Sequence, residues 1–335
     1  MPARPDCEAS FAADDGPVAT GPAGQRAHRL ALQQAERVAG RLYAVCPGVW
    51  TCVGNGLSNQ TFVQGPEGVI AIDTGESVQE MQGALDQLRQ HTQAPVVAVV
   101  YTHFHYVAGT AALPGAQALP IWSHARVPVN LKRTGGEIAP MYQRGLIHQF
   151  GIRLPTDGPD GVVSVGLGPF FRNPAHAPYT GGYLPPNNVF SEATQTTLAG
   201  LPVQFTPAPS DADDSVTVWF PTLGVAVNNL VWPALFNVYA IRGEEYRDPR
   251  VLLAGLDHLL GLKAQHLVGA HGPPLSGAAE IDAVVTDYRD AIQFLWDQTV
   301  RGLNKGLSAD ELTAFVQLPA RFDRTYFTQQ FYGLV

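Results

Sequence analysis

A chain of 335 residues with 45% hydrophobic and 15% charged side chains can build one large or two ordinary domains around a buried core, which excludes a disordered chain. Its 34 glycines and 27 prolines predict many turns between short elements and exclude a long coiled coil. With 21 basic against 29 acidic residues, a net charge of −8, no Lys/Arg block and no apolar run near the roughly 20 residues of a membrane span, neither nucleic acid nor a membrane is an expected partner.

Residues 1–27 are rich in Ala, Asp, Gly and Pro without either period, and read as a disordered N-terminal arm that lacks the basic start and apolar middle of a signal peptide. The expected location is therefore the cytoplasm. Cys7, Cys46 and Cys52 form no C-x-x-C pair and read as reduced thiols. From Val49 short β-rich runs follow at Val49–Val53, Gln60–Gln64 and Gly68–Asp73, separated by glycine turns. A helix is predicted over Val78–Thr92, then a strand buried on both faces over Pro95–Thr102. Ser123–Gly151 reads as interrupted helix. Leu154–Asn188 has no period, and a loop of that length in a compact domain usually covers a site, so it is expected to form a lid or substrate wall.

Strands resume at Val203–Thr206, Ser215–Phe220 and Gly224–Asn228, followed by a helix over Leu252–Leu262 and a strand over Gln265–Ala270. The chain then turns helical through Gly306, and Ser308 with Glu311 marks the start of a last short helix. Two halves of similar style predict an α/β fold, a four-layered αβ/βα sandwich over residues 28–275 with C-terminal helices from residues 276–335 packed on it.

At the end of the buried strand stands Tyr101-Thr102-His103-Phe104-His105. Alternation along a strand puts both imidazoles on one side, where they can converge on one Zn, Fe, Cu or Ni ion. A satisfied polar pair has the same spacing.

From Gly48 onward the chain resembles the linear alkylsulfatase branch of the metallo-β-lactamase superfamily. The resemblance is carried by Leu57-Ser58-Asn59, Gly68-Val-Ile-Ala-Ile-Asp73, Thr102-His103-Phe-His105, Gly166-Leu-Gly-Pro169, Leu184-Pro-Pro186 and Asn237-Val-Tyr-Ala-Ile-Arg242-Gly243. Asp297-Gln298-Thr299 and Phe331-Tyr-Gly333 add to it. It ends before the helical dimerisation and sterol-carrier-like domains with which such enzymes continue. It implies the metallo-β-lactamase fold, with Asp73 orienting the metal-motif loop. The family's H-x-H-x-D-H motif is incomplete here, because Val107 and Ala108 stand where its Asp and His would be. Ser210 and Asn229 replace two glutamates, while His271 in Gly269-Ala-His271-Gly-Pro matches the last ligand.

The three imidazoles of His103, His105 and His271 then suffice for one mononuclear site with an open position, holding zinc or iron. A loop shift of one or two residues could bring in a carboxylate from Asp211, Asp213 or Asp214, which otherwise read as a solvated acidic turn opening a strand. Two ions without a carboxylate between them would repel, so a binuclear zinc hydrolase is not expected. Without a metal, His103 and His105 are candidate proton carriers and Tyr106 a donor to a developing oxyanion. Arg242 and Asn237 resemble the family's residues that grip the sulfate oxyanion, which with Asn229 makes them the expected substrate contacts; a structural ion pair is the other reading of Arg242. Trp232, Phe236 and Tyr239 suggest an apolar wall, and hence a hydrophobic anion as the small-molecule partner. His124, His148 and His176 fall in the segments expected to roof the site. The expected activity is an alkylsulfatase-like reaction by metal-hydroxide or histidine acid/base chemistry. The alternatives are a biosynthetic lyase, cyclase or oxidative enzyme with a three-histidine metal, and a non-catalytic ligand-binding homologue.

Overall fold

The computed structural model describes residues 17–235, 238, 242–244 and 246–333. The last part of the expected arm differs from the reading above. Strands β1 (Val18–Thr20) and β2 (Arg26–His28) pair antiparallel there and lead into helix α1 (Arg29–Arg37). Gln25 holds this hairpin to the body, its Nε2 donating to the Thr156 carbonyl at 2.7 Å. Such a contact across 131 residues leaves no local period to read.

The first half builds a seven-stranded sheet. Its antiparallel part is β3 (Arg41–Cys46), β4 (Val49–Val53), β5 (Gln60–Gly65) and β6 (Gly68–Ile72). Helix α2 (Val78–Leu88) then crosses over to parallel β7 (Val96–Val100), β8 (Ile121–His124) and β9 (Asn188–Phe190). Between β8 and β9 lie α3 (Val127–Lys132), a wide turn at Arg133–Glu137 and α4 (Ala139–Gln149). Residues 150–187 follow with little regular structure.

The second half builds a six-stranded sheet from β10 (Thr194–Leu198), β11 (Leu201–Pro207), β12 (Val216–Phe220) and β13 (Val225–Asn228). Helix α5 (Pro249–Leu262) connects it to parallel β14 (His266–Gly269) and the short edge β15 (Leu275–Ser276). Helices α6 (Ala278–Asn304) and α7 (Ala309–Phe315) finish the chain, and α7 opens with the capping box of Ser308 and Glu311 that the sequence marks.

Alternation decides the layers. In β6, Ile70 and Ile72 point inward to Val203, Phe205, Val218 and Val227 of the second sheet, while Val69 and Ala71 point outward to Met81 and Leu85 of α2. The outer face of the second sheet, through Ala226 and Leu267, is covered by Leu252 and Leu256 of α5 and by Val285 and Tyr288 of α6. Four layers result, with helices outside two facing sheets. Among the described residues, no helix is long and apolar enough to cross a membrane.

Asp214, just before β12, is wholly buried; its Oδ2 accepts from Asn130 Nδ2 at 3.0 Å and its Oδ1 has no partner. Burial pushes this carboxyl up to about 7. A carboxyl raised in the folded state contributes stability that is present below its unfolded value near 4 and lost as pH rises through about 7. Asp214→Asn is therefore expected to gain on the order of 1–3 kcal/mol at pH 8 and little at pH 4, read from thermal melts at both pH values. Equal shifts at both would refute a buried, proton-holding Asp214.

Candidate metal centre

The loops that leave β6, β7, β11, β13 and β14 meet at one edge of the sandwich. The β6 and β7 loops brace each other first. Asp73 takes φ +56, a left-handed conformation that aspartate tolerates, and its carboxylate accepts from Thr102 N at 2.7 Å and Thr102 Oγ at 2.6 Å. Thr74 N donates to the Tyr106 carbonyl at 2.8 Å, and Ala108 N to the Gly75 carbonyl at 2.9 Å. Gly109 packs so closely beneath Thr74 that a Cβ there would lie 2.0 Å from its carbonyl oxygen.

The two histidines of the motif converge, but not by strand alternation. β7 ends at Val100, and Phe104–Tyr106 form a single tight helical turn that swings His105 back toward His103, ring centroids 5.1 Å apart. The Thr102 hydroxyl donates to Asp73, so it accepts from His103 Nδ1–H at 2.9 Å. That fixes the His103 tautomer and leaves Nε2 bare. His105 Nδ1 lies 3.2 Å from Asp211 Oδ2, and its Nε2 lies 3.0 Å from Glu244 Oε1. Asp211 Oδ1 stands 4.0 Å from His103 Nε2.

His103, His105 and Asp211 thus offer ligand atoms all within 4.8 Å of one another, the group of this kind found among the described residues. It differs from the expected three-histidine set in having Asp211 in place of His271. His271 Nδ1–H donates to the Leu57 carbonyl at 3.0 Å, and its Nε2 accepts from the Tyr106 hydroxyl at 3.4 Å. The Tyr106 ring packs between the two imidazoles, 5.1 Å from His103 and 5.4 Å from His271, and keeps His271 out of the cluster. The carboxylate enters one residue beyond Ser210, whose hydroxyl donates to Ser215 Oγ at 2.8 Å instead.

Asn229, expected at the substrate, is 1% exposed and fully engaged. Its Nδ2 donates to Asp211 Oδ1 at 2.6 Å and faces His103 Nε2 at 3.3 Å, while its Oδ1 accepts from Trp232 Nε1 at 2.8 Å. It therefore positions the ligand carboxylate. Asn237, Phe236 and Tyr239 lie outside the described residues. Arg242 donates from NH2 to Glu244 Oε2 at 2.9 Å and from NH1 to Gln149 Oε1, and stacks over Tyr142. Much of its fork is thereby committed to holding Glu244 against His105. His124 accepts from Arg126 N, and neither it, His148 nor His176 lines the central cleft.

Electrostatics follow from these contacts. Burial alone would lower His105, but Asp211 and Glu244 outweigh it and hold the imidazole up at about 9. Burial lowers His103 to about 3 and His271 to about 4, so both are neutral. Burial opposes ionisation of Asp211, yet His105 and His103 hold its carboxyl well below the usual range.

The donor set suits one divalent ion. Two imidazoles and one carboxylate are the ligands zinc and non-haem iron take. Each histidine also carries the outer partner that metal-bound imidazoles use, Thr102 and Asp73 behind His103 and Glu244 behind His105.

Beside this cluster opens a cleft of about 110 Å³. Leu57, Leu146, Phe150, Leu167, Phe171 and Trp232 give it an apolar wall, and Glu76, Tyr106, Arg172, Arg242 and His271 add polar groups. Phe171 and Arg172 come from the long irregular segment, which does form a wall. Arg172 sits exposed at the mouth over Phe171 and Tyr179, with no carboxylate within salt-bridge distance among the described residues. Sequence reasoning missed Glu76, Arg172 and Glu244. Of these only Glu244 had a local signal, two residues after Arg242.

Residues 53–227 match the metallo-beta-lactamase superfamily. The chain belongs to that superfamily. Within it, this superfamily member is 34% identical over 284 residues to a linear primary-alkylsulfatase of Pseudomonas sp., an alignment covering 82% of this chain and 53% of the relative. It is 26% identical over 309 residues to the alkyl/aryl-sulfatase BDS1 of Saccharomyces cerevisiae, covering 87% of this chain and 46% of the relative. A double mutant of the sec-alkyl sulfatase PisA1 superposes with a TM-score of 0.82 at 26% identity, covering 90% of this chain and 50% of the other. The chain spans about half the length of these relatives.

Proposed function

We propose that the protein hydrolyses hydrophobic anionic esters of the alkyl sulfate class, with one divalent ion held by His103, His105 and Asp211. The observation that carries this reading is that His105 and Asp211 of that trio line a cleft shared by the apolar side chains of Leu57, Phe150, Phe171 and Trp232 and the cations Arg172 and Arg242, with His103 buried directly behind them. The similarity to alkylsulfatases supports the substrate class. When bound, such an ion supplies a Lewis acid and activates water for attack near neutral pH.

The chain's own residues do the rest. Arg172 at the mouth attracts the anionic head group, and the Leu57, Phe150, Phe171 and Trp232 surfaces take the alkyl part and exclude water. Tyr106 presents a hydroxyl beside the reacting group. Arg242 holds Glu244, and Glu244 holds His105. The test is metal analysis of protein purified without chelator, paired with sulfate release from a medium-chain alkyl sulfate. About one equivalent of metal with turnover supports the reading, and metal-free protein or no sulfate release refutes it.

The two guanidinium groups separate by kinetics. Arg172→Ala is expected to raise KM about 10-fold and flatten its dependence on ionic strength, with kcat nearly unchanged, because an exposed charge acts on encounter. Arg242→Ala is expected instead to weaken metal retention about 10- to 100-fold, through a loosened Glu244. Steady-state kinetics at two salt concentrations and a metal-competition titration read the two effects. The reverse assignment would place the anion on Arg242.

A further inference from the structure

We propose that Glu76 is the proton donor of the cleft, its carboxylic acid protonating the alkyl oxygen that departs from sulfur; this rests on the hydrolase reading above. Glu76 follows the braced Asp73–Gly75 turn and lines the same cleft as His105, Tyr106, Asp211 and His271. Its Oε2 is shielded from solvent and has no hydrogen-bond partner among the described residues. The other cleft carboxylate, Asp211, and its neighbour Glu244 are both committed, Asp211 to Asn229 and His105, and Glu244 to His105 and Arg242. Tyr106, the other hydroxyl near the metal trio, already donates to His271 and is held well above its ordinary value by burial, which makes it a weak acid.

A second buried carboxyl stands behind Glu76. Glu80 Oε2 accepts from Glu76 N at 3.0 Å and its Oε1 from Gln60 Nε2 at 2.8 Å. Two carboxyls this close in a poorly solvated pocket resist joint ionisation. Facing Glu76 are Arg172 from the irregular wall, His105 from the histidine loop, Arg242 from the segment after β13, and Glu80 from its own helix. The three cations favour the carboxylate, but burial outweighs them and raises Glu76 to about 7. A neutral acid beside Arg172 also leaves room for an anionic head group without repulsion.

The balance is simple. Water adds to sulfur, the bond from sulfur to the alkyl oxygen breaks with its electron pair going to that oxygen, and the Glu76 proton completes the alcohol. The proton lost by the attacking water restores the acid through cleft solvent, giving alcohol and hydrogen sulfate.

The test compares wild-type protein with Glu76→Gln, metal-loaded, in two measurements. Infrared difference spectra are expected to show, beyond the bands that the other buried carboxyls such as Asp214 and Glu80 give in both proteins, a carboxylic-acid band that titrates near neutral pH in wild type and is missing from the variant. Turnover of a medium-chain alkyl sulfate is expected to fall about 10²- to 10³-fold, while 4-nitrophenyl sulfate, whose phenolate leaves without a proton, changes less than about 3-fold. Retention of the band by Glu76→Gln overturns the proposal, and so does an equal loss on both esters. An unchanged ratio of the two rates in an active variant sinks this proposal alone. Wild-type protein that cleaves neither ester sinks the hydrolase reading and the proposal together.

Discussion

Replacing Asp211 by asparagine is expected to cut bound metal from about one equivalent to under a tenth, and to slow alkyl sulfate turnover on the order of 10³-fold. Asparagine keeps the size of the side chain and an oxygen, so the Asn229 contact survives in part. What it removes is the negative charge among the three donors, leaving two neutral imidazoles and an amide to hold a dication. The several kcal/mol a Lewis acid supplies to a transition state correspond to roughly that loss of rate. Elemental analysis and initial rates on the same preparation check both halves. A full equivalent retained by Asp211→Asn would show that the ion sits elsewhere, His271 being the first residue to examine.

Phe205→Ala is expected to have the largest effect on stability. Phe205 is 0% exposed, on β11, and its ring stacks on Phe190 at 4.8 Å and Trp122 at 5.6 Å, both from the opposite sheet. Truncation opens a cavity between two sheets whose backbones are fixed by their hydrogen bonds and cannot collapse onto it. The expected cost is about 3–5 kcal/mol, or a fall of roughly 10 °C in melting temperature. The site loops leave from the ends of these strands rather than their middles. Metal content measured well below the melting transition is therefore expected to match wild type. A loss under about 1 kcal/mol by denaturant unfolding would mean that the sheets repack.

The sandwich was legible because its signals are local. The continuous apolar, β-branched runs Val69–Ile72 and Val96–Val100 need only their composition and flanking turns to be read as strands. The capping box at Ser308 and Glu311 is complete within four residues. β3, β8, β9 and β10 were not predicted, because their burial comes from partners far along the chain and, in all but β8, most of their side chains stay exposed or half-buried. The N-terminal hairpin escaped for the same reason, since the contacts of Gln25, the Arg26 N–H and the Ala23 carbonyl tie it to residues 156–159, far along the chain.

The sequence by itself determined the two-sheet architecture and the two neighbouring candidate ligands, His103 and His105, because β-rich apolar runs and the H-x-H spacing are properties of neighbouring residues. It left open whether Asp211, Asp213 or Asp214 would reach the ion, since a shift of one residue along a loop moves a carboxylate by more than a coordination bond length. Only the tertiary structure decided that Asp211 turns inward under Asn229, that Tyr106 screens His271 from the cluster, and that Glu76 and Arg172 share its cleft. These choices depend on loops from five strand ends packing against one another, and no stretch of sequence contains more than one of them.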